Sequence, residues 1–275
     1  MHYDVIIIGG GLFGQIVRKA LEHQGRTVLC IDAKKGNSGS RPAACLMKPS
    51  WFSSMGKDVY EPALTLLDEL YGITDIQFSL QPTKAVGKVG RATVHWINPN
   101  RVLSPSTYHG EVVSILDRTV TLRDGHTMTA DLIVVAAGIW TQKLLPQYEQ
   151  VGQQGIAWLY KGVHCDEPTI QPWAPYRQLV RFDRYDGTWV SDGTAIKATN
   201  WMPKHAQASY KRCTKFAGIC DQKPTPMMGI RPYAKGHKPC LIEEVRPGLW
   251  VASGGAKNGT LGAGYCAHRI MTETS

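Results

Sequence analysis

The sequence has no apolar run long enough to cross a bilayer, so neither a membrane-spanning helix nor a membrane partner is expected. Its first residues, His2, Tyr3 and Asp4, form no basic segment and lead to no small-residue cleavage pattern. A cytoplasmic location is the expectation. Seven cysteines are scattered without one C-x-x-C pair, which argues against a disulfide framework. His164 and Cys165 are neighbours with no further ligand at metal spacing, so no metal site is expected. There is no internal repeat and no low-complexity linker, which argues against solenoids and strings of separate modules. Acids are in short supply: 22 Asp and Glu stand against 31 Lys and Arg, for a net charge of +9. Such an excess draws polyanions through counterion release, but it also simply keeps a protein in solution.

What is present fits an ordinary globular chain. The 275 residues are 43% hydrophobic and 19% charged, enough for one large domain or two small ones. Asp4 to Ile8 is an apolar run that ends in glycine, as a buried parallel strand does. Gly9, Gly11 and Gly14 follow, then a helical stretch from Gln15 to Gln24, then a second apolar strand, Thr27 to Asp32. In this arrangement the first glycine turns the chain off the strand. The second admits a pyrophosphate to the backbone, and the third lets helix and sheet pack closely. The helix N-terminus offers free N–H groups to phosphate. Asp32 follows Gly14 by 18 residues and ends the second strand, where an acid accepts the ribose hydroxyls. That order of strand, glycines, helix, strand and acid specifies a dinucleotide, and the acid disfavours a 2′-phosphate and hence NADP.

The remaining chain reads as alternating strands with turns. A Gly/Ser/Pro/Ala-rich loop spans 36–50, and helices are predicted over 61–70, 204–218 and 260–271. Turns are predicted at Gly87 to Gly90, at Asn98 to Asn100, at Asp117-Arg118 and at Asp124-Gly125. Asp131 to Ala136 is a fully apolar strand, and residues 150–200 alternate as an antiparallel sheet. The expected class is α/β with an α+β insert. A Rossmann-type cofactor domain (1–75, 106–148 and 225–275) interleaves with a smaller, mainly antiparallel substrate domain (76–105 and 149–224).

Four further segments resemble the FAD-dependent D-amino-acid oxidase family, nearest to glycine oxidase. They are Ser40-Arg41-Pro42-Ala43-Ala44, Asp131 to Trp140, Met228-Gly229-Ile230-Arg231-Pro232, and Trp250 to Leu261. They match in order and cover both ends and the middle of the chain. The resemblance implies non-covalent FAD held by Gly9, Gly11, Leu12, Phe13, Gly14, Asp32, Ala33, Ser40, Arg41, Ala43, Ala44 and Val113. It extends the cofactor site to Ala136, Ala137, Gly138, Trp140, Arg231, Gly254, Gly255, Lys257, Asn258, Gly259 and Thr260. The departures are Cys45, where the family usually has glycine, Gly255, where it often has histidine, and a chain shorter than typical members.

The resemblance also implies the chemistry. Arg231 matches the arginine that grips the substrate carboxylate, a task suited to a bidentate guanidinium. Lys257 stands where glycine oxidases carry a second cation, and Met47 and Tyr233 are candidate pocket walls. Trp51, Tyr160 and Tyr176 are expected to pack ordinarily. The implied reaction is oxidation of a carboxylate-bearing amine, R–NH–CH2–COO⁻, to an imine that hydrolyses to amine and glyoxylate. The family includes the FAD domain of a tRNA wobble-uridine modification enzyme, and a related glycyl activity occurs in bacteriophage thymidine hypermodification. Basic residues interleave with aromatics through Trp158, Tyr160, Lys161, Tyr176, Arg177, Arg181, Arg184, Tyr185, Trp189, Lys197 and Trp201. With the net charge, that pattern favours a glycyl-modified nucleobase in DNA or RNA. The alternatives are a metabolic glycine, sarcosine or D-amino-acid oxidase and a non-catalytic FAD-binding partner.

Overall fold

The computed structural model describes residues 2–36, 38–48, 56–81, 90–103, 108–174, 177–193, 196–197, 202–219, 221–237 and 239–275. The chain opens with β1 (His2–Ile8), α1 (Leu12–His23), β2 (Val28–Asp32), β3 (Leu46–Met47) and α2 (Lys57–Tyr71). Next come β4 (Thr74–Leu80), β5 (Gly90–Trp96), α3 (Pro99–Val102), β6 (Tyr108–His109), β7 (Val112–Leu116), β8 (Thr119–Leu122) and β9 (Thr127–Val135). The middle holds α4 (Thr141–Leu144), β10 (Gln150–Lys161), β11 (Thr169–Ala174), β12 (Arg177–Arg184), β13 (Gly187–Ser191), β14 (Ile196–Lys197) and α5 (Pro203–Ala217). The chain closes with β15 (Thr225–Ala234), β16 (Leu241–Arg246), β17 (Leu249–Ser253) and α6 (Gly259–Glu273). Among the described residues no helix is long and apolar enough to cross a membrane.

The strands form two sheets. An eight-stranded sheet runs β16-β17-β9-β1-β2-β6, with β8 also on β9 and β7 on β8. Its centre is parallel: β1 pairs with β2 and β9, and β9 with β17. Alternation along β1 explains why its inner half, Val5 to Ile8, is apolar at every position. Val5 and Ile7 enter the core under α1, α2 and α6, while Ile6 and Ile8 enter the core on the other face. A strand buried on both faces has no position for a polar side chain.

The second, nine-stranded sheet runs β14-β10-β13-β12-β11-β4-β5-β3, with β15 beside β10. It is antiparallel except for a short parallel contact of β11 with β4. Alternation again sorts the residues. Trp158, Tyr160 and Val190 pack under α5, and Ala157, Phe182 and Trp189 pack on the opposite face.

Several expectations differ from the structure. Residues 225–234, assigned by pattern to the cofactor domain, pair along their whole length with β10 of the nine-stranded sheet. The loop at 36–50 contains the short strand β3, paired with β5. The turn near Asn98 is the start of α3, where the Asn98 side chain accepts a hydrogen bond from Asn100 N–H at 3.0 Å. The turn around Gly87 to Gly90 lies largely outside the described residues, as do Trp51, Tyr176 and Trp201.

Candidate active site

A cavity of about 620 Å³ lies between the two sheets, a size suited to a small-molecule or cofactor site. At one end its wall is backbone. Gly9 has φ +115°, and a Cβ there would fall 2.4 Å from the Ala136 carbonyl oxygen. A Cβ on Gly14 would fall 1.7 Å from the Gly9 oxygen, so this glycine is required for α1 to meet the strand-to-helix turn. Gly11 caps α1 without a side chain. Ser40 reaches across from the 38–45 loop, and its Oγ accepts from Leu12 N–H at 2.8 Å. The Asp32 carboxylate accepts from the backbone N–H groups of Gly10 and Lys34, which fixes it at the cavity edge.

Most sequence-assigned cofactor residues meet here. Gly9, Gly11, Leu12, Phe13, Asp32, Ala33, Ser40, Ala43 and Ala44 line the cavity. So do Ala136, Ala137, Gly138, Trp140, Gly255, Asn258, Gly259 and Thr260. Gly14 and Gly254 do not reach the lining: the first packs against Gly9, and the second makes the turn after β17 at φ +76°. Arg41 is exposed, and so is Val113. The register shifts between Val112 and Ser114, and Val112 faces the cavity instead.

Cys45 lines the same cavity with φ +54°. That is the left-handed conformation which costs a side-chain-bearing residue about 1–2 kcal/mol relative to glycine. Burial pushes its thiol up to about 11, so it is protonated near neutrality.

The opposite end is built from side chains. On β12 and β13 the pairs Phe182 with Trp189 and Val180 with Ser191 share one sheet face. Continuing the row brings Gln178 beside Gly193, and Gln178, Val180, Trp189, Ser191 and Gly193 all line the cavity. Arg231, on β15, lies over Gly155 of β10. A Cβ on Gly155 would stand 2.5 Å from the Arg231 Cζ, so the missing side chain makes room for the guanidinium. Desolvation by the surrounding walls lowers the Arg231 pKa, and the negative charge of Asp192 opposes that.

Lys257 lines the cavity near Arg231. An antiparallel bridge joins Tyr233 to Gly255, and both cations stand two residues from it on the same side. Burial first, then the charges of Arg231 and Arg177, hold Lys257 below the usual lysine range. Two like charges so placed repel unless an anion joins them.

Met47 and Tyr233 are not cavity walls. Met47 is 2% exposed and packs in the core beneath α2 and α6. Tyr233 is half-buried on β15 and makes the bridge to Gly255. Among the described residues the basic and aromatic set does not form one surface either. Trp158 and Tyr160 are buried beneath α5, and Arg184 is buried with its guanidinium 3.7 Å from Asp186. Rings packed this way cannot stack an extruded base.

Several lining residues carry no sequence motif. Lys34, Lys35, Glu111 and Lys143 surround the Asp32 end. Lys35 Nζ lies 2.6 Å from Glu111 and 6.0 Å from the Trp140 ring centroid. The β12–β13 row was hidden for another reason, since its side chains align only once the register is known.

No protein-family model and no curated sequence matches the chain. Solved structures do. Glycine oxidase from Bacillus cereus ATCC 14579 superposes with a TM-score of 0.74 at 17% identity, over 98% of this chain and 96% of that one. Iminodiacetate oxidase from Chelativorans sp. BNC1 gives 0.70 at 17% identity, over 97% and 94%. L-Proline dehydrogenase from P. horikoshii gives 0.70 at 11% identity, over 100% and 94%. The chain shares their fold. The resemblance drawn from short motifs therefore holds for the architecture as a whole.

Proposed function

We propose that this chain is an FAD-dependent amine oxidase that acts on the C–N bond of an N-carboxymethyl amine, R–NH–CH2–COO⁻. One observation carries the reading: Arg231 reaches across Gly155 into the cavity whose far end is the glycine-lined dinucleotide cradle. A carboxylate on Arg231 is thereby held in the same enclosed space as the cofactor. Glycine oxidase and iminodiacetate oxidase, which share the fold, are named for amines of this kind.

Gly9, Gly11 and the α1 N-terminus would hold the pyrophosphate, and Asp32 the ribose. Residues 255–260, where α6 begins, would meet the flavin ring and present N–H groups to negative charge on it. A bound flavin would supply the two-electron acceptor for this oxidation: the substrate methylene gives up one hydride, which carries both electrons, and the amine nitrogen loses one proton to solvent. Arg231 and Lys257 orient the carboxylate, and Val180 and Trp189 exclude water from the reacting carbon. The product R–N=CH–COO⁻ then takes up one water and splits to R–NH2 and glyoxylate.

For R we favour a nucleobase carried in DNA or RNA. The net charge of +9 supports it, and so does an acid-free stretch from 193 to 220 that holds Lys197, Lys204, Lys211, Arg212 and Lys215. A free glycine or sarcosine is the second reading, favoured by the burial of Trp158 and Tyr160. Anaerobic bleaching of the flavin absorbance separates them. Bleaching by a glycyl-modified nucleoside or oligonucleotide, with weak bleaching by glycine and sarcosine, is expected. Bleaching by no amine at all would sink the oxidase reading.

A further inference from the structure

The positive charge of this molecule is unevenly distributed. Three helices of the cofactor half pair their cations one turn away: Arg18 with Glu22, Lys57 with Glu61, and Arg269 with Glu273. Helix α5 has no acid with which to make such a pair. Its Lys204, Lys211 and Lys215 are exposed, and spacings of seven and four residues put them on one helix face. The opposite face, with Ala206, Cys213 and Ala217, is buried against the nine-stranded sheet. At the end of the helix, Gln222 Nε2 donates to the Lys161 carbonyl at 3.0 Å, which brings exposed Lys161 and Lys223 into the same region.

The charge continues from this helix to the cavity. Arg212, also on α5, holds the buried Asp192 at 2.6 and 3.0 Å. Its guanidinium stands 4.6 Å from the centroid of Trp173, whose Nε1 donates to the Asp192 carbonyl. Arg177 lies 5.6 Å from the same ring. A Cβ on Gly193, in the cavity wall, would lie 4.0 Å from the Arg177 Cα. Arg177 in turn is close enough to Lys257 to help lower its pKa, after burial and Arg231. Lysines, an arginine-flanked tryptophan and the carboxylate-binding cations thus form one basic strip.

We infer that the outer face of α5 and the Arg212–Trp173–Arg177 stack form a docking track for the phosphate backbone of a polynucleotide strand, leading to the cavity mouth. This rests on the nucleobase reading above and names the surface that would serve it. Charge complementarity selects the occupant. A helix face of exposed lysines, with no acid in the helix to pair them, matches a polymer of phosphates. Among the described residues, the track lacks the exposed apolar face that a lipid surface would require.

The test uses the flavin-loaded full chain and a fluorescein-labelled thymidine oligonucleotide, with binding read by anisotropy. Affinity is expected to fall about tenfold or more between about 50 and 200 mM salt. The triple change Lys204→Glu, Lys211→Glu and Lys215→Glu is expected to weaken binding at least tenfold at low salt. Flavin content and anaerobic bleaching by sarcosine should stay at the parent level. If the triple Glu protein does not fold, the triple Gln change replaces it, and the salt slope should fall by roughly one for each phosphate no longer neutralised. Oligonucleotide affinity that is absent, or equal in parent and variant, would overturn the track. Binding to phosphatidylserine vesicles with none to DNA would do the same. Charge-dependent DNA binding with no bleaching by any amine would leave the track standing and remove the oxidase reading.

Discussion

At the eight-stranded sheet the cavity is walled by backbone, and at the nine-stranded sheet by side chains. Gly9, Gly11 and Gly14 act by having no Cβ, and Asp32 is held by two backbone N–H groups. Across the cavity, Arg231, Gln178, Ser191 and Trp189 of the nine-stranded sheet act by what they carry, together with Lys257 from the segment between β17 and α6. The backbone half suits a large cofactor that must be gripped along its length. The side-chain half suits a small group that must be chosen among similar ones. Both halves still depend on glycine. Gly155 clears the floor for Arg231 much as Gly9 clears it for the strand-to-helix turn.

The largest effect is expected from Gly14→Ala. The new methyl would sit 1.7 Å from the Gly9 oxygen, and a backbone atom cannot rotate away. The turn must open, and the purified protein should come without flavin. Retention of stoichiometric flavin, read from absorbance, would show that this half is not gripped by backbone. Arg231→Met should come next. It should keep its flavin but lose about 2–5 kcal/mol of carboxylate recognition, seen as a fall in kcat/KM of at least about thirtyfold. Unchanged kinetics would remove the carboxylate role.

Gly155→Ala sharpens the comparison, because the group in conflict is the movable end of a side chain. The guanidinium should shift, raising KM about tenfold with little change in thermal midpoint or flavin content. A large loss of stability instead would mean that Gly155 serves the fold of β10 and not Arg231.

The difference between the halves also explains what could be read from the chain. Glycine spacing and the acid after the second strand are local, because a backbone turn imposes fixed distances along the sequence. The pair of sheets and most helices followed from alternation and apolar periodicity. Arg231 and Lys257 were reached through resemblance, since nothing near Arg231 announces a cavity. The row of Gln178, Ser191 and Gly193 depends on β12–β13 register. Met47 shows the same limit: β3 is only two residues long, and its phase alone decides which neighbour faces the core. Val113 was displaced by a register shift that no composition reveals.

The smallest effect is expected at a side-chain cluster within the backbone half. Glu111 lies 2.6 Å from Lys35 and 2.9 Å from Arg123, and these hydrogen bonds, with Arg123 foremost, lower its pKa from 4.5 to about 2. A carboxylate whose folded pKa is depressed stabilises the protein above its unfolded pKa. That contribution is lost as pH falls through the folded value. Glu111→Gln should therefore flatten the part of the stability curve between about pH 4.5 and pH 2, while stability at neutral pH falls only slightly. Flavin affinity should move by no more than about threefold, because Lys35 remains over Trp140 and the glycine cradle is untouched. Thermal midpoints against pH and a flavin titration measure both. A flavin affinity that drops tenfold would break the comparison, since the cofactor half would then depend on its side chains as much as the substrate half does.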